Sequence, residues 1–330
     1  MQSDNYSLET LQIATSSGPL ELLACLPHQP KQQRPLLFLH GAHCAAACFK
    51  ILLPLMARAG YASYALSLRG HGKSWQPSTF AFHVLTSIDS YVADAQAGLD
   101  FLTAEYPDTP AVVVGHSMGG GVWQRALSLR PDAPVAGLVL LASAPLSGGG
   151  LDVARNWQAA QAQARKSEEQ PSTGPPASTD QGWLPWLLSF VPSLKLDTGI
   201  ETPAQVRSKF FSAGASDKVV EGWMRDSKGR LESVRVSIES FWPLADAGAV
   251  LAGITSMPSG RKVLCVSAEK DALVSSEVSR QNFEAYRSIC QGEEEVLQAE
   301  LSASAHHVML DVARERCATL IINWLEGRSV

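Results

Sequence analysis

The sequence predicts an α/β protein: a mostly parallel, doubly wound sheet interrupted by an inserted helical cap. Three observations predict it. Short, continuously apolar runs alternate with stretches of helical spacing, as buried parallel strands and crossover helices do. The alternation stops near Ser147-Gly-Gly-Gly150 and resumes near Lys262, a gap too long for a loop. Gly115-His-Ser-Met-Gly119 stands between an apolar run and a helical stretch.

The elements follow in order. Leu11–Thr15 and Leu20–Leu26 flank the turn signal Ser17-Gly18-Pro19 and read as a hairpin. Pro35–Leu39 is wholly apolar and reads as a strand buried on both faces. A helix is expected over Ala47–Ala59, with Gly60 as its stop, and a strand over Tyr61–Leu68. Ser90–Tyr106 has helical spacing and ends at Pro107. Ala111–Val114, Gly119–Leu129 and Val135–Leu141 read as strand, helix and strand. Beyond the gap, Lys262–Val266 is a strand, Ser276–Arg287 a helix, Glu295–Leu301 a strand and Val308–Leu325 the last helix. The core is therefore expected at 1–147 and 256–330, with the cap at 148–255. The cap includes a helical piece at Val153–Ala164, a polar stretch rich in Pro and Ser at Lys166–Asp180, and aromatic segments around Trp183–Val191 and Phe210–Trp242.

Composition narrows the class. Apolar residues make up 45% and charged residues 18% of the 330 residues, enough for a real core and too apolar for disorder. With 27 basic against 32 acidic residues the net charge is −5, which disfavours nucleic acid as a partner. Asp4 interrupts the position where a signal peptide needs basic and then apolar residues, and no apolar run of membrane-spanning length appears. Gly327–Val330 matches no retention or prenylation address. The six cysteines, mostly in apolar surroundings, read as reduced core thiols. Together these predict a cytoplasmic protein without stable membrane insertion. Cys44 and Cys48 lack a partner pair with zinc spacing, so neither a metal nor another cofactor is expected. The sequence leaves a homodimer open.

The chemistry is carried by Gly115–Gly119. In a strand–turn–helix context, G-x-S-x-G forms a sharp elbow whose serine projects above the sheet. Glycines flank it because a Cβ there would strike the adjacent chain. The Met118 N–H, at the start of the helix, then faces the oxygen that becomes negative. A serine needs a base, and the base needs an orienting carboxylate. Downstream of Ser117 the only histidines are His306 and His307, just after the last predicted strand. Asp271 and Glu269 both stand at the carboxyl end of the strand at Val263–Val266, where open α/β sheets hold their sites. Ala42, in the loop His40-Gly41-Ala42-His43, is the candidate second oxyanion donor. His40 is expected to hydrogen-bond within that loop, and His43 to line the pocket.

With these residues assembled, the chain resembles the α/β-hydrolase superfamily over about residues 8–326. The carriers are Leu39-His-Gly-Ala42, Leu68-Arg-Gly-His-Gly-Lys-Ser74, Gly115-His-Ser-Met-Gly-Gly120, Val266-Ser-Ala-Glu-Lys-Asp271 and Ala305-His-His-Val-Met-Leu-Asp311. It is most similar to the capped esterase and lysophospholipase-like branch. The resemblance implies the α/β-hydrolase fold, selects His306 by its spacing to Asp311, and selects Asp271 over Glu269. His71, in the second segment, is then a loop-holding residue. The loop His43-Cys-Ala-Ala-Ala-Cys-Phe49 departs from relatives with bulky aromatics there and implies a wider site.

The expected activity is serine hydrolase chemistry of the carboxylic ester type. The substrate would be an ester, thioester or lactone of a hydrophobic small molecule. Trp183, Trp186, Phe210 and Phe211 in the cap are the candidate substrate-binding aromatics beside His43. Two alternatives remain at this stage. One is an acyltransferase, lactone-forming or C–C bond-cleaving enzyme of secondary metabolism on the same triad. The other is a non-catalytic ligand-binding receptor.

Overall fold

The computed structural model describes residues 6–30, 34–133, 135–168, 199–227, 232–255 and 257–330. Eight strands form one sheet: β1 (Tyr6–Ile13), β2 (Leu20–Pro27), β3 (Leu36–Leu39), β4 (Ser63–Leu66), β5 (Ala111–His116), β6 (Val135–Leu141), β7 (Val263–Ala268) and β8 (Val296–Leu301). Their order is β1-β2-β4-β3-β5-β6-β7-β8. The β1–β2 and β2–β4 pairs are antiparallel, and every later pair is parallel. The fold is the α/β-hydrolase fold, as the resemblance implied.

Successive side chains of a strand point to opposite faces, so a fully apolar strand feeds two cores. Leu36 and Phe38 of β3 join Val112 and Val114 of β5 in one cluster, while Leu37, Leu39 and Val113 join the other. The first face is covered by α1 (Leu52–Arg58) and α10 (Arg314–Leu325). The second is covered by α2 (Ile88–Glu105), α3 (Met118–Leu129) and α9 (Ser276–Arg287). Each fully buried aliphatic side chain contributes about 1.5–3 kcal/mol.

Between β6 and β7 lie α4 (Gly150–Glu168), α5 (Pro203–Phe210), α6 (Asp217–Ser227), α7 (Val234–Glu239) and α8 (Ala247–Ala252). Capping boxes set the starts of two of the α-helices. Thr202 and Gln205 begin α5, and Ser87 and Ser90 begin α2. Among the described residues no helix is long and apolar enough to cross a membrane.

Three expected boundaries shift, each for a local reason. The helix expected over Ala47–Ala59 splits into a short 3₁₀ turn at Ala46–Phe49 and α1. Pro54 lacks an N–H and its ring clashes with a preceding turn, so the helix must begin just before it. The last helix starts at Arg314 instead of Val308. The intervening chain is tied down by Asp311, whose carboxylate accepts from Ala305 N–H (2.7 Å), Val312 N–H (2.8 Å) and Ser212 N–H (2.9 Å). In the first hairpin, β1 ends at Ile13 and pairs Ile13 with Leu20. Its half-exposed edge position blurs the apolar alternation that would have marked it.

Candidate active site

β5 delivers the chain to Ser117, which has φ 52° and ψ −124°. A non-glycine residue held in this region is strained by roughly 1–3 kcal/mol and persists only when its surroundings fix it. Here Ser117 N–H donates to Leu141 O (3.0 Å), while Ser117 O accepts from Gly120 N–H and Ala144 N–H, each at 3.0 Å. The tight turn explains the glycines. A Cβ on Gly115 would lie 2.4 Å from Gly120 Cα, and one on Gly119 would lie 2.4 Å from His40 O.

The loop after β8 brings His306 to this elbow. His306 Nε2 lies 2.9 Å from Ser117 Oγ, and Nδ1 lies 2.8 Å from Asp271 Oδ2. Asp271 follows β7, and its Oδ1 accepts from Leu273 N–H (2.8 Å) and Val274 N–H (2.9 Å). Both carboxylate oxygens are thus occupied and the carboxylate cannot swing. The backbone of His306 is fixed too, because His116 Nε2–H donates to its carbonyl (2.9 Å). Burial holds the His116 pKa well below the ordinary histidine value, so this ring stays neutral.

The two competing residues point elsewhere. The His307 ring packs among His116, Phe210, Phe211 and Trp223, with Nε2 3.9 Å from Cys44 Sγ. Burial pushes its pKa well below the ordinary value. Glu269 faces solvent, accepts from Ala303 N–H (2.8 Å) and pairs with Lys270 (2.6 Å).

A cavity opens over Ser117. Ala42, His43, Met118, Trp157, Phe210 and His306 all line it. Met118 is the first residue of α3, where an N–H has no partner within the helix. The Ala42 loop is braced from below: His40 Nε2 accepts from Leu68 N–H (3.1 Å), so its Nδ1–H donates to Gly41 O (2.8 Å). Burial lowers the His40 pKa to about 3, which keeps this arrangement neutral. Beyond it, Trp223 Nε1–H donates to Cys44 Sγ (3.5 Å), and Ala46 N–H donates to Ser67 Oγ (2.9 Å). His71 holds the β4 loop, its Nδ1 lying 3.0 Å from Arg69 O.

Of the aromatic residues expected at the substrate, Phe210 lies on the cavity wall. Phe211 does not; it is buried behind the wall against Trp223 and His307. Trp183 and Trp186 lie outside the described residues. Sequence reasoning missed Glu232, Ser237 and Ser240, which also line the cavity. They sit within and at either end of the short helix α7, which carries no motif, so no sequence signal marked them.

Residues 30–294 match the family described as serine aminopeptidase, S33. The non-heme chloroperoxidase of Streptomyces lividans is 34% identical over 116 residues, 35% of this chain and 39% of the relative, so the chain spans about two-fifths of that relative's length. Phospholipase YtpA of Bacillus subtilis is 26% identical over 220 residues, 64% of this chain and 73% of the relative. Among solved structures, a bromoperoxidase from Bacillus anthracis superposes with a TM-score of 0.65 at 17% identity, covering 96% of this chain and 100% of that one.

Proposed function

The chain belongs to the serine aminopeptidase, S33 family of α/β-hydrolases, and from that premise we propose that it cleaves an ester, thioester or lactone of a hydrophobic small molecule through an acyl-enzyme. The single observation that carries this reading is the hydrogen-bonded chain from Ser117 through His306 to Asp271, at 2.9 and 2.8 Å.

In the proposed mechanism, Ser117 Oγ attacks the substrate carbonyl as His306 Nε2 takes its proton. Asp271 holds the ring so that Nδ1 carries a proton and Nε2 is free to accept. The tetrahedral oxyanion is stabilised by the N–H groups of Ala42 and Met118, each worth about 10²–10³ in rate. His306 returns the proton to the leaving alcohol or thiol. Water, deprotonated by His306, then attacks the acyl-enzyme and releases the acid and Ser117.

Residues 148–255 act as a cap that sets the substrate. The wall they contribute is mostly apolar: Val153, Trp157, Phe210, Val236 and Leu244 line the cavity. That favours a bulky hydrophobic acyl or alcohol group.

Turnover of para-nitrophenyl esters of increasing chain length tests the proposal. The purified protein is expected to hydrolyse them, and Ser117→Ala to lose essentially all turnover. Reaction in heavy-oxygen water separates hydrolysis from acyl transfer or ring closure, because only hydrolysis puts the label into the released acid. A Ser117→Ala protein with full turnover, or product without label, overturns it.

A further inference from the structure

The cavity over Ser117 follows one stripe of α3. Met118, Gly121 and Val122 all line it, and their spacing of three and four residues puts them on one face of the helix. At Gly121 another side chain comes down onto that stripe. Leu244 also lines the cavity, and a Cβ on Gly121 would lie 2.7 Å from Leu244 Cδ1. The glycine leaves the space that the leucine fills, so Leu244 rests directly on the helix backbone.

Leu244 is held in place from behind. Its N–H donates to Leu146 O (2.7 Å), and its carbonyl accepts from Arg125 Nη1–H (3.2 Å). Arg125 is the next residue on the same stripe of α3, and its Nη2–H donates to Asp89 Oδ2 (3.2 Å). The Leu244 side chain is 6% exposed and belongs to the core cluster of Leu146, Val236 and Val250. With both backbone groups tied and packed protein behind it, the side chain has no room to step back for a longer ligand.

Its position fixes a length. Gly121 N–H donates to Ser117 O (3.4 Å), so the two residues stand one turn apart. One turn is about 5.4 Å along the helix axis. Carbon–carbon bonds of about 1.5 Å, foreshortened by their zigzag, place about four carbons in that distance.

We propose that Leu244 sets the chain-length limit of the substrate: one chain of the ester lies along α3 and ends against the Leu244 side chain after about four carbons. This rests on the reading of Ser117 as the nucleophile in the same cavity.

The test separates binding from turnover. Calorimetry with Ser117→Ala protein measures affinity for para-nitrophenyl esters of straight-chain acids and for straight-chain alkyl acetates, each series lengthened one carbon at a time. In one series affinity should rise roughly fourfold per carbon, as apolar burial gives, and stop rising after about four carbons. Adding Leu244→Ala clears the end of the cavity and should move that limit about two carbons longer, so the newly accepted esters gain roughly four- to sixteenfold. Adding Leu244→Phe should move it shorter. The other series should keep its profile in both variants. If Leu244→Ala fails to fold, Leu244→Val, with a smaller shift in the same direction, and Leu244→Phe decide. The proposal is overturned if neither series shows a limit, if folded variants leave the limit in place, or if both series lengthen alike, which would be a general loosening of the cavity. Wild-type turnover of the same esters is read separately. Its absence refutes the nucleophile assignment, whereas an unmoved limit refutes the assignment of Leu244.

Discussion

Asp271→Asn is a substitution whose effect can be worked out atom by atom. Asp271 Oδ1 accepts two backbone N–H groups, from Leu273 and Val274, at 2.8 and 2.9 Å. In the asparagine variant the amide oxygen stays there, because the flipped amide would set its NH₂ against two buried donors. Leaving those donors unpaired costs about 1–3 kcal/mol each, so roughly 2–6 kcal/mol opposes the flip. The NH₂ group therefore takes the place of Oδ2, 2.8 Å from His306 Nδ1. It donates to Nδ1, which must then be the bare nitrogen. The ring proton moves to Nε2, where it points at Ser117 Oγ and cannot accept the hydroxyl proton. The productive tautomer is reached only against the same 2–6 kcal/mol. At about 1.4 kcal/mol per factor of ten, the rate falls roughly 30-fold to 10⁴-fold. The fold should survive, since the Oδ1 bonds persist. The assay is kcat/KM on a para-nitrophenyl ester at neutral pH, with the unfolding midpoint measured beside it. A folded asparagine variant that keeps most of its rate refutes the reasoning.

Three further outcomes are expected. Asp311→Ala strips the acceptor from Ser212 N–H, Ser212 O–H, Ala305 N–H and Val312 N–H. It should lower stability in urea by about 3 kcal/mol or more, and it should reduce activity because Ala305 precedes His306. An unchanged midpoint would contradict this. Gly120→Ala puts a Cβ 2.0 Å from Ser143 Oγ and should cost about 1–3 kcal/mol. Adding Ser143→Gly should recover much of that loss, and failure of the double variant to recover would show that the clash lies elsewhere. The buried His40, His116 and His307, all with pKa values lowered mainly by burial, must charge when the chain unfolds in acid. Their folded pKa values lie below the unfolded value of about 6.5, so stability is full above that pH and falls below it. One unit lower, the three together remove about 4 kcal/mol, and a urea midpoint flat between neutral pH and that point would contradict the assignment.

The strands were legible because double burial leaves no polar positions. β3 and β6 are apolar throughout, β5 and β7 apolar but for His116 and Ser267 near their ends, and all four were located to within two residues. Ser117 was legible because a strained elbow needs glycine on both sides, and that pattern is local. The choice between His306 and His307 was legible only through the resemblance and its spacing to Asp311, since adjacent residues otherwise differ only in which way the loop turns. Asp311 decides that turn through Ser212, 99 residues earlier in the chain. Glu232 was invisible for the same reason: its partners Tyr91 and His71 come from distant segments. Phe211 was misjudged because an aromatic run does not reveal which ring faces a cavity and which faces the body behind it.

Intact mass and peptide mapping after treatment with a fluorophosphonate probe test the central claim most directly. The account predicts one covalent adduct on the wild-type protein, mapped to Ser117, slowed in Asp271→Asn and absent from Ser117→Ala. A folded wild-type protein that takes up no probe, or a Ser117→Ala protein that still does, would contradict it.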